Sequence, residues 1–191
     1  VIAGVGSNNT AESLDLLERA ERAGVDGVLL VTPYYNRPSQ AGLLNHFRTV
    51  ARATTLPVML YDIPVRTGRK IDTATLLELA RGEANIVALK DAAGDPAETA
   101  RFIAQAPADF EVYSGDDALT LPFLSVGAVG VVGVATHWCA ADMVDMIESY
   151  TKGDVERARQ LNARMIPSFD FETGLIAPNP DRKSTRLNSS H

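Results

Sequence analysis

The chain is poor in the residues from which disulfide frameworks and metal centres are built. Cys139 is the one cysteine among 191 residues, and the three histidines are His46, His137 and His191. A single thiol excludes an intramolecular disulfide and a thiolate metal cluster, and it fits a reducing compartment. The histidines stand apart from one another and from any carboxylate at ligand spacing, so neither a metal site nor a Ser/His/Asp constellation emerges. Long apolar runs are missing too. None approaches the roughly 18 residues of a membrane-spanning helix, and the N-terminus lacks the basic-then-apolar layout of a signal peptide. A cytoplasmic location is the expectation. Charge of one sign is nowhere concentrated in a chain of net charge −6, which argues against a nucleic-acid footprint or an anionic membrane surface. The partner expected is a small molecule.

What is present is the composition of one globular domain, 46% hydrophobic and 22% charged, with enough apolar content for a substantial core. The last eleven residues, Asp181 to His191, abandon the apolar periods that precede them and resemble a translated sequencing adapter. They hold Asp181, Arg182, Lys183 and Arg186, so without them the 18 basic and 24 acidic residues become 15 and 23, and the net charge −8. At the other end Val1 opens directly into the strand-like VIAGVG with no initiator Met. The expectation is a chain cut short at both ends.

Short β-branched and aliphatic runs begin near Ile2, Val28, Val58, Ile86, Phe110 and Val129. The stretches between them carry helical periodicity. Leu14, Leu17 and Ala20 form one stripe, ended by Gly24 as C-terminal glycine; Leu43, Leu44, Phe47, Val50 and Ala51 form a second. A third helix is predicted near Thr73 to Arg81 with Asp72 as its cap, and a fourth opens on Asp95-Pro96. The strand runs are nearly continuous in apolar residues, as a parallel sheet covered on both faces requires. Repeated βα units spaced by some 20 to 30 residues fit a (β/α)8 TIM barrel of about 250 residues better than an open doubly wound sheet. From Ala141 two consecutive helices are predicted, Asp142 to Lys152 and Asp154 to Met165.

In barrels the chemistry sits where the strands end, and here the runs close on polar residues: Thr32 to Arg37, Tyr61-Asp62, Lys90-Asp91 and Ser114 to Asp117. Of four lysines, Lys70 lies in a polar turn, Lys152 follows an amphipathic helix and Lys183 is in the foreign stretch; only Lys90 terminates a buried-type run. An ammonium in apolar surroundings loses hydration, its pKa falls, and the neutral amine can attack a ketone to form an imine. By position alone, a lysine snorkelling out of a strand end fits equally well. Tyr61 and Tyr35 follow neighbouring strands and offer two phenols for proton transfer, or two amphipathic wall residues. Arg66 offers a two-pronged grip on a carboxylate, or a solvated loop arginine. Asp116 and Asp117 read best as a capping pair for the next helix. Gly127, Gly130 and Gly133 imitate a phosphate loop but lack its Lys-Ser or Lys-Thr, so close backbone packing is the better reading.

Taken together, VTPYYNRPSQ (Val31 to Gln40), YDIPVRTG (Tyr61 to Gly68), ALKDAAG (Ala88 to Gly94), SGDD (Ser114 to Asp117) and APNP (Ala177 to Pro180) resemble the dihydrodipicolinate synthase family of pyruvate-dependent Schiff-base lyases, from Val1 to Pro180. The resemblance implies a TIM barrel with a C-terminal helical domain and a homotetramer built as a dimer of dimers. It implies that about the first two βα units and most of that domain are missing here. Residues 1–140 would be a partial barrel, 141–180 a closing helix and the start of the helical domain, and 181–191 a non-native tail. Lys90 would form the imine with pyruvate, and Tyr61 would move protons and contact the pyruvate carboxylate. Tyr35 would reach across a tight dimer interface. Arg66 would receive the carboxylate of aspartate semialdehyde, while Gly115 and Val132 shape the pocket through their backbone. Asn8, Glu12 and Tyr34 would form part of an L-lysine feedback site. The family's Thr-Thr-Gly-Glu segment would lie before Val1, so the fragment is expected to be inactive. Neither a metal nor an organic cofactor is implied.

Two rival readings remain. A sister lyase, cleaving N-acetylneuraminate or a keto-deoxy sugar acid, would share Lys90 and Tyr61 but not the loop holding Arg66. A catalytically silent barrel would bind an amino acid at Asn8 and Glu12. A phosphate-handling isomerase ranks below both, because the glycine region lacks a supporting basic residue.

Overall fold

The computed structural model describes residues 1–173, so the Ala177 to Pro180 motif and residues 181–191 lie outside the described residues. Six strands and eight helices are described: β1 (Ile2–Gly4), α1 (Thr10–Arg22), β2 (Gly27–Val31), α2 (Gln40–Ala51), β3 (Val58–Asp62), α3 (Pro64–Thr67), α4 (Thr73–Gly82), β4 (Ile86–Asp91), α5 (Pro96–Ile103), β5 (Glu111–Ser114), α6 (Thr120–Ser125), β6 (Gly130–Val131), α7 (Thr136–Thr151) and α8 (Val155–Thr173). The strands form one parallel sheet in the order β1-β2-β3-β4-β5-β6. Every strand therefore ends on the same rim of the sheet, which is what gathers residues distant in sequence.

Helix boundaries follow local chemistry. Asn9 caps α1 by accepting from the Ala11 and Glu12 amides, and Gly24 takes the left-handed conformation just past its end, φ 73°. Ser39 caps α2, and Asp95 caps α5 with Pro96 in its first turn. Asp72 departs from expectation: it precedes α4, but its side chain makes no capping bond. Gln40 has taken over that turn, its Nε2 donating to the Lys70 carbonyl (2.8 Å) and its Oε1 accepting from the Asp72 amide (3.1 Å).

Leu30, Leu60 and Leu89 of the strands pack with Phe47, Phe102 and Phe123 of the helices in one buried core. Met143, Met146, Leu161 and Met165 form a second core between α7 and α8. The α7 helix begins at Thr136, six residues before the predicted start, with a non-helical kink at Cys139 (φ −124°). The loop read at Pro64 to Gly68 is one helical turn, α3, closed by Gly68 at φ 72°.

The β3–β4 ladder is irregular. Val58 pairs with Ile86, but Met59 pairs with Ala88, so Val87 has no counterpart. From there the register is regular: Leu60 with Leu89, Tyr61 with Lys90, Asp62 with Asp91.

Candidate active site

The register sets the site. Tyr61 and Lys90 leave adjacent strands on the same face at the same level, and the Lys90 ammonium lies 4.2 Å from the centroid of the Tyr61 ring. Burial pulls the Lys90 pKa down, the charge of Asp117 opposing it. Burial pushes the Tyr61 phenol up, with the Arg66 guanidinium working the other way. Burial thus disfavours the charged form of both the lysine and the phenol beside it.

Gly115 makes room for the Lys90 stem. A Cβ there would come within 3.0 Å of Lys90 Cγ, 3.1 Å of Lys90 Cε and 2.9 Å of the Ala92 Cβ. Thr32, buried at the end of β2, donates its hydroxyl to the Tyr61 carbonyl at 3.1 Å and fixes the backbone behind the phenol. Val132 follows β6, its amide bonded to the Ser114 carbonyl at 2.9 Å. A further tyrosine, Tyr113, pairs with Lys90 in the β4–β5 register. Its phenol donates to Glu111 (2.6 Å), and burial with that bond pushes its pKa up to about 12.

The expected capping pair is not one: α6 starts at Thr120 with Leu119 before it and has no side-chain capping bond. Asp116 Oδ1 instead closes the preceding turn, accepting from the Ala118 and Leu119 amides at 3.0 and 3.3 Å. Asp117 does not cap either: it is 5% exposed, its Oδ2 accepts from the Val134 amide at 2.8 Å, and its side chain shares a hydrogen bond with Glu172. Gly133 explains the seat. A Cβ there would lie 2.1 Å from Asp117 Oδ1, so only glycine leaves the space. The close-packing reading of the glycines therefore holds at Gly133, and likewise at Gly130, where a Cβ would press on the Tyr113 ring at 3.2 Å. Nothing local in the sequence marks Asp117 as different from Asp116; the distinction comes from Gly133, a strand away. The Asp117 charge also reaches α7 and α8. Glu172 is pushed up to about 7, first by burial and then by Asp117 and Asp116, and burial together with Asp117, Asp142 and Glu172 raises the Cys139 thiol.

Tyr35 does not join Tyr61 beside the lysine. It is 90% exposed with φ 73°, and Arg37 two residues on has φ 45°. Two left-handed residues in one turn swing the ring out to solvent, a reversal that apolar periodicity does not register. Arg66 stands exposed on α3, close enough to the Tyr61 phenol to act on its pKa. At the start of α1, Ser7 donates its hydroxyl to the Glu12 carboxylate and the Asn36 carboxamide donates to the Asn8 carbonyl at 3.0 Å. Since the Asn36 amide also bonds the Tyr34 carbonyl (2.9 Å), Asn8 is tied to the Tyr34 turn. Among the described residues no group of three or more His, Cys, Asp or Glu is arranged to hold a metal ion, and no helix is long and apolar enough to cross a membrane.

Comparison with known proteins gives a consistent result. Residues 1–180 match the model of the dihydrodipicolinate synthetase family. The 4-hydroxy-tetrahydrodipicolinate synthase of Bacillus subtilis (strain 168) is 50% identical over 187 residues, 98% of this chain and 64% of that protein. The structure of the 4-hydroxy-tetrahydrodipicolinate synthase from Methylacidiphilum fumariolicum SolV superposes with a TM-score of 0.91 at 44% identity, over 98% of this chain and 63% of that one. The enzyme of the same family from Cyanidioschyzon merolae, solved with lysine bound, gives 0.92 at 43% identity, over 99% and 64%. The chain thus spans less than two thirds of the length of these relatives.

Proposed function

The chain belongs to the dihydrodipicolinate synthetase family, and from that premise we propose that the protein carrying it is a Schiff-base lyase that condenses pyruvate with aspartate 4-semialdehyde to 4-hydroxy-tetrahydrodipicolinate, a step of lysine and diaminopimelate biosynthesis. The observation that carries this reading is the Lys90 amine over the Tyr61 ring at the ends of two register-matched strands.

Lys90 acts as the nucleophile. Its neutral amine adds to the ketone carbon of pyruvate, the carbinolamine loses water, and the iminium that results gives up a methyl proton to become an enamine. The enamine carbon attacks the aldehyde; the amine of the second substrate then attacks the iminium carbon and expels Lys90. Tyr61 donates and accepts the protons of these steps through a phenol that carries no standing charge. Arg66 receives the carboxylate of the semialdehyde, the feature that separates this reaction from sister sugar-acid lyases. Gly115 and Val132 shape the pocket with their backbone.

The six strands are read as six of the eight staves of a TIM barrel, with residues 1–140 in the barrel and 141–180 leading into a helical domain. That reading is supported by the longer relatives and by the unbroken β1-to-β6 order. The protein is a cytoplasmic homotetramer in which Tyr35, exposed here, completes the proton relay of a partner copy, and the piece alone is inactive. L-lysine binds at Asn8, Glu12 and Tyr34 as a feedback inhibitor, a reading supported by the lysine-bound relative.

Incubating the full-length protein with pyruvate, reducing with borohydride and mapping the adduct by tandem mass spectrometry tests the proposal. A mass increment on the peptide holding Lys90 is the expected result. Folded protein without an adduct would overturn it in favour of a silent amino-acid-binding barrel.

A further inference from the structure

Each of the two strands that carry the reactive pair ends one residue later in an aspartate. Successive strand side chains point to opposite faces, so Asp62 and Asp91, paired in the register, stand back to back with Tyr61 and Lys90 on the helix-covered side of the sheet. They are 1% and 6% exposed. With Lys70, Thr73, Glu98 and Thr99 they line a small cavity of about 10 Å³.

Three carboxylates meet there, and the ammonium of Lys70 stands among them. It lies 3.8 Å from Asp62 Oδ2 and 3.2 Å from Glu98 Oε1, and donates to the Ile71 carbonyl at 3.2 Å. Neutral donors add further bonds, the Thr73 hydroxyl to the same Glu98 oxygen that Lys70 contacts. The Ile71 amide reaches Asp62 Oδ1 (3.2 Å), the Ala93 amide reaches Asp91 Oδ1 (2.9 Å), the Thr99 hydroxyl reaches Asp91 Oδ2 (2.6 Å) and the Thr73 hydroxyl reaches Glu98 Oε1 (2.9 Å). Asp95 also lines the cavity, its Oδ1 accepting from the Glu98 amide at 3.0 Å. Burial pushes Asp62 up to about 7; Lys70 and the Ile71 amide hold it back, while Asp91 and Glu98 push further. A polar turn in the sequence is thus the charge balance of a buried layer.

We propose that Lys70 is a positioning residue for the Lys90 chemistry: it balances the Asp62, Asp91 and Glu98 carboxylates on the outer face of β3 and β4, and that balance holds Tyr61 and Lys90 at their working distance on the inner face. The inference rests on the Schiff-base reading above. Without the ammonium, like charges at the ends of two neighbouring strands repel across the very residues that register Tyr61 with Lys90. Catalysis depends on that placement, because a displacement near 1 Å at a reacting group costs up to about a hundredfold in rate.

The test uses the full-length protein and the variants Lys70→Met, Glu98→Gln and the double, with kcat, the KM for pyruvate, the pH profile and the borohydride adduct as readouts. Lys70→Met is expected to lower kcat roughly ten- to hundredfold, to change KM far less, and to move the optimum to lower pH, where a carboxylate takes up the proton that replaces the lost charge. Glu98→Gln keeps the oxygen that accepts from Thr73 and deletes one negative charge, so the double variant is expected to recover most of the kcat. Loss of packing alone produces no such rescue. A Lys70→Met enzyme with unchanged kcat and pH profile, or a loss that Glu98→Gln leaves unrelieved, overturns the proposal. Should Lys70→Met fail to accumulate, a folded and active double variant supports it and an unfolded one overturns it. Absence of the adduct in the unsubstituted protein would instead sink the Schiff-base reading itself.

Discussion

Two buried aspartates flank the reactive pair, one on each face of the sheet, and they are held in opposite ways. Asp62, on the outer face, has an ammonium beside it and an amide on its other oxygen. Asp117, on the inner face, has the Val134 amide on one oxygen, shares a side-chain hydrogen bond with Glu172, and forms no ion pair among the described residues. A carboxylate balanced where it stands acts mainly through geometry. One left unbalanced in a low-dielectric setting projects its charge, and Lys90, Glu172 and Cys139 all register it.

The most severe break removes the group both aspartates serve: Lys90→Ala is expected to abolish the pyruvate adduct and lower kcat by about 10⁴-fold or more, read by steady-state assay and mass spectrometry. Tyr61→Phe, which keeps the ring and deletes the proton carrier, is expected to cost about 10²- to 10⁴-fold while the adduct still forms at long incubation. Asp117→Asn sharpens the contrast. Asp117 raises the Lys90 pKa against the pull of burial, so its loss lowers that pKa further and the limb of the pH–rate profile that reports the free amine moves to lower pH. Gly133→Ala, which displaces the Asp117 carboxylate without touching Lys90, is expected to move the same limb in the same direction. An unmoved profile in both variants would mean that Asp117 is only a strut.

The smallest effect falls on stability. Asp62 has an ordinary value of 3.8 and is raised to about 7 in the fold. The folded state therefore favours its protonated form, and the stability this contributes is full below about 4 and fades as pH rises through about 7. Asp62→Asn removes that slope, and the unfolding free energies from urea titrations at pH 5 and pH 8 are expected to lie closer together in the variant, by about a few kcal/mol at most.

How legible this was depends on range. The strand starts could be read because a covered parallel strand must be apolar throughout, and Lys90 stood out because it ends such a run. The turns α3 and α6 could not, since four and six residues are too short for a period to declare itself. Asp117 and Lys70 were passed over for one reason: what defines each is a residue brought near only by folding, Gly133 for the first and the Asp62–Glu98 pair for the second. The outward direction of Tyr35 could not be read from its place after a strand, because a backbone angle sets it.

The unmatched Val87, 39% exposed, decides something larger than a local irregularity. Had the ladder run on evenly from Val58 and Ile86, Leu89 would stand opposite Tyr61 and Lys90 opposite Asp62, because a slip of one exchanges every side chain between the faces. The lysine would then face the helices as half of an ordinary ion pair, protonated and inert. Placement in this chain is a matter of parity: one surplus residue, three positions and roughly 10 Å upstream of Lys90 along the strand, decides whether the amine faces Tyr61 or the helices.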